Sequence, residues 1–195
     1  MSLQRISGPA AEPVTLAEAK AFARVDGSGE DGAITAMIAA ARLAFERETG
    51  LVLLHQDWEW TLDRFPEPGL EGRRTLELPL APIVDIDEFL VRDNAGAETD
   101  IPPADYVLDV AAPLPRLVEK GRGLWPAPKA SAAGVRLAFT AGFGASASNV
   151  PADIRQAILE LVAHAYERRG LGDGEFDLSS PRVTSLLAPF RRVRL

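Results

Sequence analysis

The sequence predicts an α+β fold: a small helical core with an inserted β-rich portion and an extended C-terminal tail. Two observations carry this. Segments with helical periodicity lie at both ends of the folded region, and the stretch between them breaks into short alternating runs punctuated by prolines. Helices grouped apart from strands argue against a parallel α/β sheet, which needs them to alternate. Of 195 residues, 47% are hydrophobic, enough to fill a core.

Residues 1–13 are expected to form a loose N-terminal arm. Thr15-Leu-Ala-Glu18 has the capping-box spacing, in which the Thr15 hydroxyl and the Glu18 carboxylate each satisfy a backbone N–H of the other. It opens a helix over 15–25. A second helix is predicted over 31–49, because Ile34, Ile38, Ala41 and Phe45 make one apolar stripe. Asp31 suits its positive end, and Gly50 is a natural stop. The β-rich portion covers 56–144. Asp57-Trp-Glu-Trp-Thr-Leu-Asp63 alternates, placing Trp58, Trp60 and Leu62 on one face. Strands follow at 75–78 and 84–91, then a turn at Asp93-Asn-Ala-Gly96 with a return near 98–101. Runs at 106–109, 114–118 and 135–140 complete the set. A last helix is predicted over 151–169, opened by Pro151 and striped by Ile154, Ile158, Leu161 and Ala165. The connector domain is thus 14–170, and 171–195 is a hinge followed by a docking tail.

That tail is the most unusual part of the chain. Residues 181–195 hold four arginines and no acid, whereas the whole chain carries a net charge of -7. Two prolines, Pro181 and Pro189, discourage a continuous helix there. Leu186, Leu187 and Phe190 are too apolar for a solvated end and too few for a core. Together with Pro189, Arg191, Arg192 and Arg194 they read as an extended segment that orders on another protein.

Few residues invite catalysis. His55 and His164 belong to no ligand cluster, and Glu160 lies one helical turn before His164. Asp85 and Asp87 share a strand face and have the chemistry to hold Mg²⁺ or trade a proton, but a strand with one wet face explains them more simply. Gly27-Ser-Gly29 precedes a helix without a preceding strand or a full phosphate-loop pattern, so it reads as a linker. Gly142-Phe-Gly144 is a turn, and no Gly-x-Ser-x-Gly elbow occurs. Trp58 and Trp60 are more simply core or subunit-interface aromatics than base-stacking platforms. The expectation is a non-enzyme with no catalytic, cofactor or metal site. The absence of cysteine excludes disulfides and thiolate sites. No apolar run approaches the length that spans a bilayer, and no signal-peptide pattern opens the chain, so no membrane partner and a cytoplasmic start are expected. An acidic chain is also a poor free-standing binder of duplex DNA.

Several landmarks occur in a specific order: Pro13-Val-Thr-Leu-Ala-Glu-Ala-Lys20, Ile38-Ala-Ala-Ala-Arg42, Glu48-Thr-Gly50, Gln56-Asp-Trp58 and Asp63-Arg-Phe-Pro66. Then come Leu78-Pro-Leu-Ala-Pro-Ile-Val84, Tyr106-Val-Leu-Asp109, Trp125-Pro126 and Phe139-Thr-Ala-Gly-Phe-Gly144. Val150-Pro-Ala-Asp-Ile-Arg-Gln-Ala-Ile158 and Leu161-Val-Ala-His-Ala-Tyr-Glu-Arg-Arg169 close the series. Over residues 13–170 this order resembles the head–tail connector, or adaptor, proteins of long-tailed bacteriophages and gene transfer agents. The resemblance implies a structural subunit that assembles in the bacterial cytoplasm and ends in the neck of the particle. It implies a homo-oligomeric ring, of twelve copies, beneath the portal protein. Such a ring extends the DNA channel without binding DNA specifically, and offers a platform to the next neck component, a stopper. It also implies C-terminal segments that reach into the portal. The alternatives are another neck part, such as a stopper or tail-completion protein, or a packaging factor that uses the Arg-rich tail on DNA.

Overall fold

The computed structural model describes residues 1–112, 114–168 and 181–188, without the side chains of Arg182 and Leu187. The chain is α+β, as expected, with helices and antiparallel sheets in separate units. One unit comprises Met1–Gly8 and His55–Gly142; the other comprises Pro9–Leu54 and Phe143–Leu195.

The helical unit contains α1 (Leu16–Ala23), α2 (Asp31–Thr49), α3 (Ala152–Glu167) and α4 (Pro181–Leu187). The capping box forms as predicted: Thr15 Oγ1 accepts from Glu18 N at 3.2 Å, and Thr15 N donates to Glu18 Oε2 at 2.7 Å. Helix α1 stops two residues before the predicted end, because Arg24 takes the left-handed conformation (φ 55°) and caps it. The α2 stripe is buried as its periodicity requires, with Ile34, Ile38, Ala41 and Phe45 each at most 2% exposed. Burial of each large apolar side chain contributes about 1.5–3 kcal/mol. After Gly50 the run Leu51-Val-Leu-Leu54, too short for a period to declare itself, is buried whole. Beneath it lies an ionic cluster. The guanidinium of Arg42 (5% exposed) grips Glu12 through two bonds of 2.7 and 3.1 Å and meets Glu46 (9% exposed) at 3.1 Å. Glu46 also accepts from Leu53 N at 3.0 Å. Arg155 on α3 donates to Pro13 O and pairs with Glu18, which ties the first helix to the third.

The tail is a correction. Residues 181–187 form a helix, not an extended strand, and α4 packs on α3 with Val183 only 3% exposed. Pro181 occupies the first helical position, where its missing N–H costs nothing, and Pro189 falls after the last turn. The two prolines bracket a helix rather than break one.

The sheet unit holds β1 (Ser2–Arg5), β2 (Gln56–Leu62), β3 (Thr75–Glu77), β4 (Ile83–Arg92), β5 (Glu98–Asp100), β6 (Tyr106–Asp109), β7 (Arg116–Glu119) and β8 (Val135–Ala141). They form a five-stranded sheet, β1-β2-β8-β4-β5, and a three-stranded one, β3-β7-β6, antiparallel throughout. Residues 2–5, expected in a loose arm, are the edge strand β1. Its four residues are all exposed and carry no apolar alternation to announce a strand. Backbone pairing to Trp58–Thr61 supplies the order, and Ser7 Oγ donates to Asp57 at 2.7 Å just beyond it.

Central β8 alternates perfectly, with Val135, Leu137, Phe139 and Ala141 buried. Against it β4 carries two register shifts. Ile86 faces Phe139 and Phe89 faces Leu137, so three residues of β4 span two of β8. The extra residue is a bulge, and it explains why the apolar positions of β4 are spaced by three. Phe89 then joins Phe65, Tyr106 and Trp125 in an aromatic cluster with centroid separations of 5.2–5.9 Å. At the edge of this cluster Glu119, 1% exposed, accepts from Arg74 N at 2.9 Å and Trp125 N at 2.8 Å. One buried carboxylate thus fastens the 120–125 loop to the start of β3.

Candidate functional site

The surface with the strongest chemical character is the outer face of the five-stranded sheet. Strand alternation sends the apolar side chains of β2, β8 and β4 to the core, so the intervening polar residues gather on the other side. Register places Asp57 and Asp85 on either side of Thr140, and Glu59 and Glu88 on either side of Ala138. Glu98 and Asp100 of β5 extend the row. With Asp87, seven carboxylates share this face with only two guanidiniums, those of Arg92 and Arg136.

Two local networks organise it. Arg136 bridges three strands, meeting Glu59 at 3.2 Å, Glu88 at 3.1 Å and Glu98 at 3.4 Å. Burial opposes its charge, but Glu59, Glu98 and Glu88 together hold its pKa above the ordinary guanidinium value. Arg92 adds a 2.6 Å pair to Glu98, and that hydrogen bond is the largest cause of the lowered Glu98 pKa. Nearby, the single Thr140 hydroxyl lies 3.1 Å from Asp57 Oδ1 and 3.2 Å from Asp87 Oδ2. One hydroxyl proton cannot serve both carboxylates. Partial burial, with Asp85, Asp57 and Glu88 adding repulsion, pushes the Asp87 carboxyl up despite the Thr140 bond.

Asp85 and Asp87 do share the wet face, as their spacing suggests. Among the described residues no group of three His, Asp or Glu is arranged to hold a metal ion. His55 is exposed, and His164 Nε2 lies 3.5 Å from Arg168 Nη1, while Glu160, its expected neighbour, accepts from Gln156. Gly27-Ser-Gly29 joins α1 to α2 and is tied by Lys20, which donates to Gly27 O and pairs with Asp31 at 2.6 Å. Trp60 is a core residue, 7% exposed; Trp58 is half-buried, its indole nitrogen covered and without a hydrogen-bond partner among the described residues. A shallow groove in the sheet unit is walled by Arg64, Phe65, Arg74 and three prolines. No described helix is long and apolar enough to cross a membrane.

Of the residues assigned to the docking tail, Leu186 lies on α4 and is partly exposed. The Leu187 side chain and the whole of Pro189, Phe190, Arg191, Arg192 and Arg194 lie outside the described residues. The feature sequence reasoning missed is the acidic face itself. Its carboxylates come from β2 and from the β4–β5 hairpin, and only the antiparallel pairing of β8 between β2 and β4 brings the two groups together.

No protein-family profile matches the chain, and no curated protein matches it. Solved structures do. The fold is similar to a chain in the virion of a native gene transfer agent particle, with 28% identity and a TM-score of 0.82. It is similar to a chain in the neck of an empty particle computed with C6 symmetry, with 30% identity and a TM-score of 0.80. A third match, at 29% and 0.77, lies in the neck of a native particle computed with C12 symmetry. Each alignment covers 100% of this chain and 97% of the matched one. At this level of similarity the chain is a structural protein of the gene transfer agent neck type.

Proposed function

We propose that this protein is the head–tail adaptor: a non-enzymatic subunit that forms a ring under the portal, extends the DNA channel and presents a platform to the next neck component. The observation that carries the reading is the end-to-end match to chains in necks computed with C12 and C6 symmetry. The ordered landmarks over residues 13–170 support the same assignment. An acidic sheet face suits a conduit, because a wall that repels phosphates lets duplex DNA slide. The four arginines after residue 180 suit a segment that docks on carboxylates of the portal, with Leu186, Leu187 and Phe190 as apolar anchors. A neighbour presents a different face on each side of a ring subunit, and such contacts close only at the right rotation. With the portal as the template for that rotation, the free protein is mostly monomeric at micromolar concentration and orders as a ring on the portal.

Co-sedimentation with assembled portal from the same genome tests the reading. Two altered chains are compared with the full-length protein: one ending at Ser180, and one with Arg191, Arg192 and Arg194 changed to Ser so that α4 is kept. The full chain is expected to bind and both altered chains to lose binding. If the folded full chain ignores the portal but sediments with a tail component, it is a stopper or tail-completion protein. If it sediments with DNA, and loses that on tail deletion, it is a packaging factor.

A further inference from the structure

We propose that Asp26 is a site of spontaneous covalent modification, at which the bond to Gly27 rearranges through a cyclic imide to the isoaspartyl form. The sequence holds three Asp-Gly pairs, at 26–27, 31–32 and 173–174, and the last lies outside the described residues. Glycine after aspartate favours this reaction, because no Cβ crowds the attacking nitrogen. Sequence alone does not separate the first two pairs. Their surroundings do. Asp26 to Gly29 join α1 to α2, and all four are exposed. None of their backbone N–H groups donates a hydrogen bond among the described residues, and neither Asp26 O nor its carboxylate accepts one there. The segment is held at its ends instead: Val25 N donates to Lys20 O at 3.0 Å, Asp31 N to Ser28 O at 3.3 Å, and Lys20 reaches Gly27 O. Turning the Asp26–Gly27 peptide so that Gly27 N meets the carboxyl carbon therefore breaks no hydrogen bond of that peptide, and such segments open at least cost.

The pair Asp31-Gly32 opens α2, where the Gly32 N–H is likewise without a helical partner. There the geometry withholds the reaction. Asp31 O accepts from Thr35 Oγ1 at 2.8 Å, Asp31 N donates to Ser28 O, and Lys20 holds the carboxylate at 2.6 Å. Rotation about the Asp31 Cα–C bond would unwind the first turn of a 19-residue helix. At Asp26 the step balances with water alone. Gly27 N bonds to Asp26 Cγ, and the Gly27 amide proton leaves with the carboxyl hydroxyl as water. Water then opens the imide at either carbonyl. One opening restores aspartate; the other leaves the main chain running through Cβ and Cγ, one carbon longer, with the free carboxylate on Cα. The change falls beside the Lys20 clasp on Gly27 O and so loosens the turn between α1 and α2. A subunit built into a particle is not replaced afterwards, so the product accumulates with the age of the particle.

The test is ageing of the full-length protein at neutral pH in water enriched in heavy oxygen, followed by mass spectrometry. Cleavage after Arg24 and Arg42 leaves both pairs on one peptide, 25–42, so fragment masses compare them within the same molecule. Each ring opening inserts one heavy oxygen. In the folded protein the label at Asp26 should run several-fold ahead of that at Asp31, with isoaspartate among the Asp26 products. In concentrated urea the two pairs should label at similar rates, because the difference between them is structural. Gly27→Ala, in protein that keeps its circular dichroism spectrum, should cut the Asp26 label several-fold. Equal labelling of the two pairs in the folded protein, or Asp31 ahead of Asp26, overturns the proposal. Absence of label at Asp26 in the folded protein overturns it too, whatever happens in urea. An undiminished label in Gly27→Ala overturns the imide route.

Discussion

The ionic cluster under Leu51–Leu54 gives the helical unit its most testable energetics. Arg42 and Glu46 are both nearly out of water, so each carries a desolvation cost that the other, with Glu12 and Leu53 N–H, helps to offset. Burial opposes the Arg42 charge, but Glu12 and Glu46 more than offset this and hold its pKa above the ordinary value. Arg42→Met keeps the aliphatic stem and removes the charge. Glu12, at 28% exposure, rehydrates at little cost, whereas Glu46, at 9%, keeps a buried carboxylate that has lost its guanidinium and still accepts from Leu53 N. Breaking a buried pair this way costs about 3–5 kcal/mol, and the Leu53 bond argues for about 3. Glu46→Gln alone still accepts from Leu53 N–H and leaves Arg42 its bidentate Glu12, so about 1 kcal/mol is expected. If the stranded carboxylate is the source of the damage, Glu46→Gln must rescue Arg42→Met, and the double variant should sit about 1–2 kcal/mol below wild type. The coupling is read from a double-mutant cycle in urea, using midpoints at constant m-value. Additive single effects would refute the reasoning and assign the loss of Arg42 to packing.

Three further outcomes follow from the same contacts. Thr15→Ala removes the cap and should cost about 1 kcal/mol at neutral pH by urea unfolding. The two Thr15 bonds, then Arg155, hold the Glu18 pKa below 4.5, so that part of the stability is present above pH 4.5 and is lost as pH falls through the lowered value; the gap between variant and wild type should narrow there. Asp87→Asn should act with the opposite sign, because a carboxyl raised above 3.8 lowers stability as pH rises through its folded pKa. The variant should gain a few tenths of a kcal/mol at pH 7, as expected of a solvent-screened charge, and nothing below pH 3.8. Gly134→Ala places a Cβ 2.7 Å from Asp63 O and 2.7 Å from the Pro128 ring, and backbone must move to relieve it; about 1–3 kcal/mol should be lost in thermal melts.

Legibility in the sequence followed how local the determining physics was. The α2 stripe, the Thr15 cap and the β8 alternation each depend on residues within one element, and each formed where its pattern lay. Strand β1 could not be read, because four exposed residues gain their order only from pairing with β2, more than fifty positions away. The β4 bulge hid in a spacing of three that is neither helix nor strand period. Helix α4 was misread for the opposite reason: proline was counted as a breaker without regard to where in a helix it falls. Nothing local marks Glu119, whose role comes from accepting Arg74 N and Trp125 N, 45 and 6 positions away.

The same distinction separates what the chain does from how it does it. The ordered landmarks lie at caps, turns and proline-bounded strand ends and along the helices α2 and α3, and these mark a resemblance without identifying an interface. A ring subunit works through surfaces, and surfaces here are products of pairing. The acidic face exists because β8 lies between β2 and β4 and turns their wet positions to one side. The unlike edges exist because an N-terminal strand with an arginine closes one end of the sheet and an acidic hairpin return closes the other. Were β1 absent, β2 would be the edge, with Asp57 and Glu59 on it, and both ends of the sheet would be acidic. Four residues at the start of the chain therefore set the character of that end of the sheet, covering an acidic strand with one that carries a single arginine and no acid.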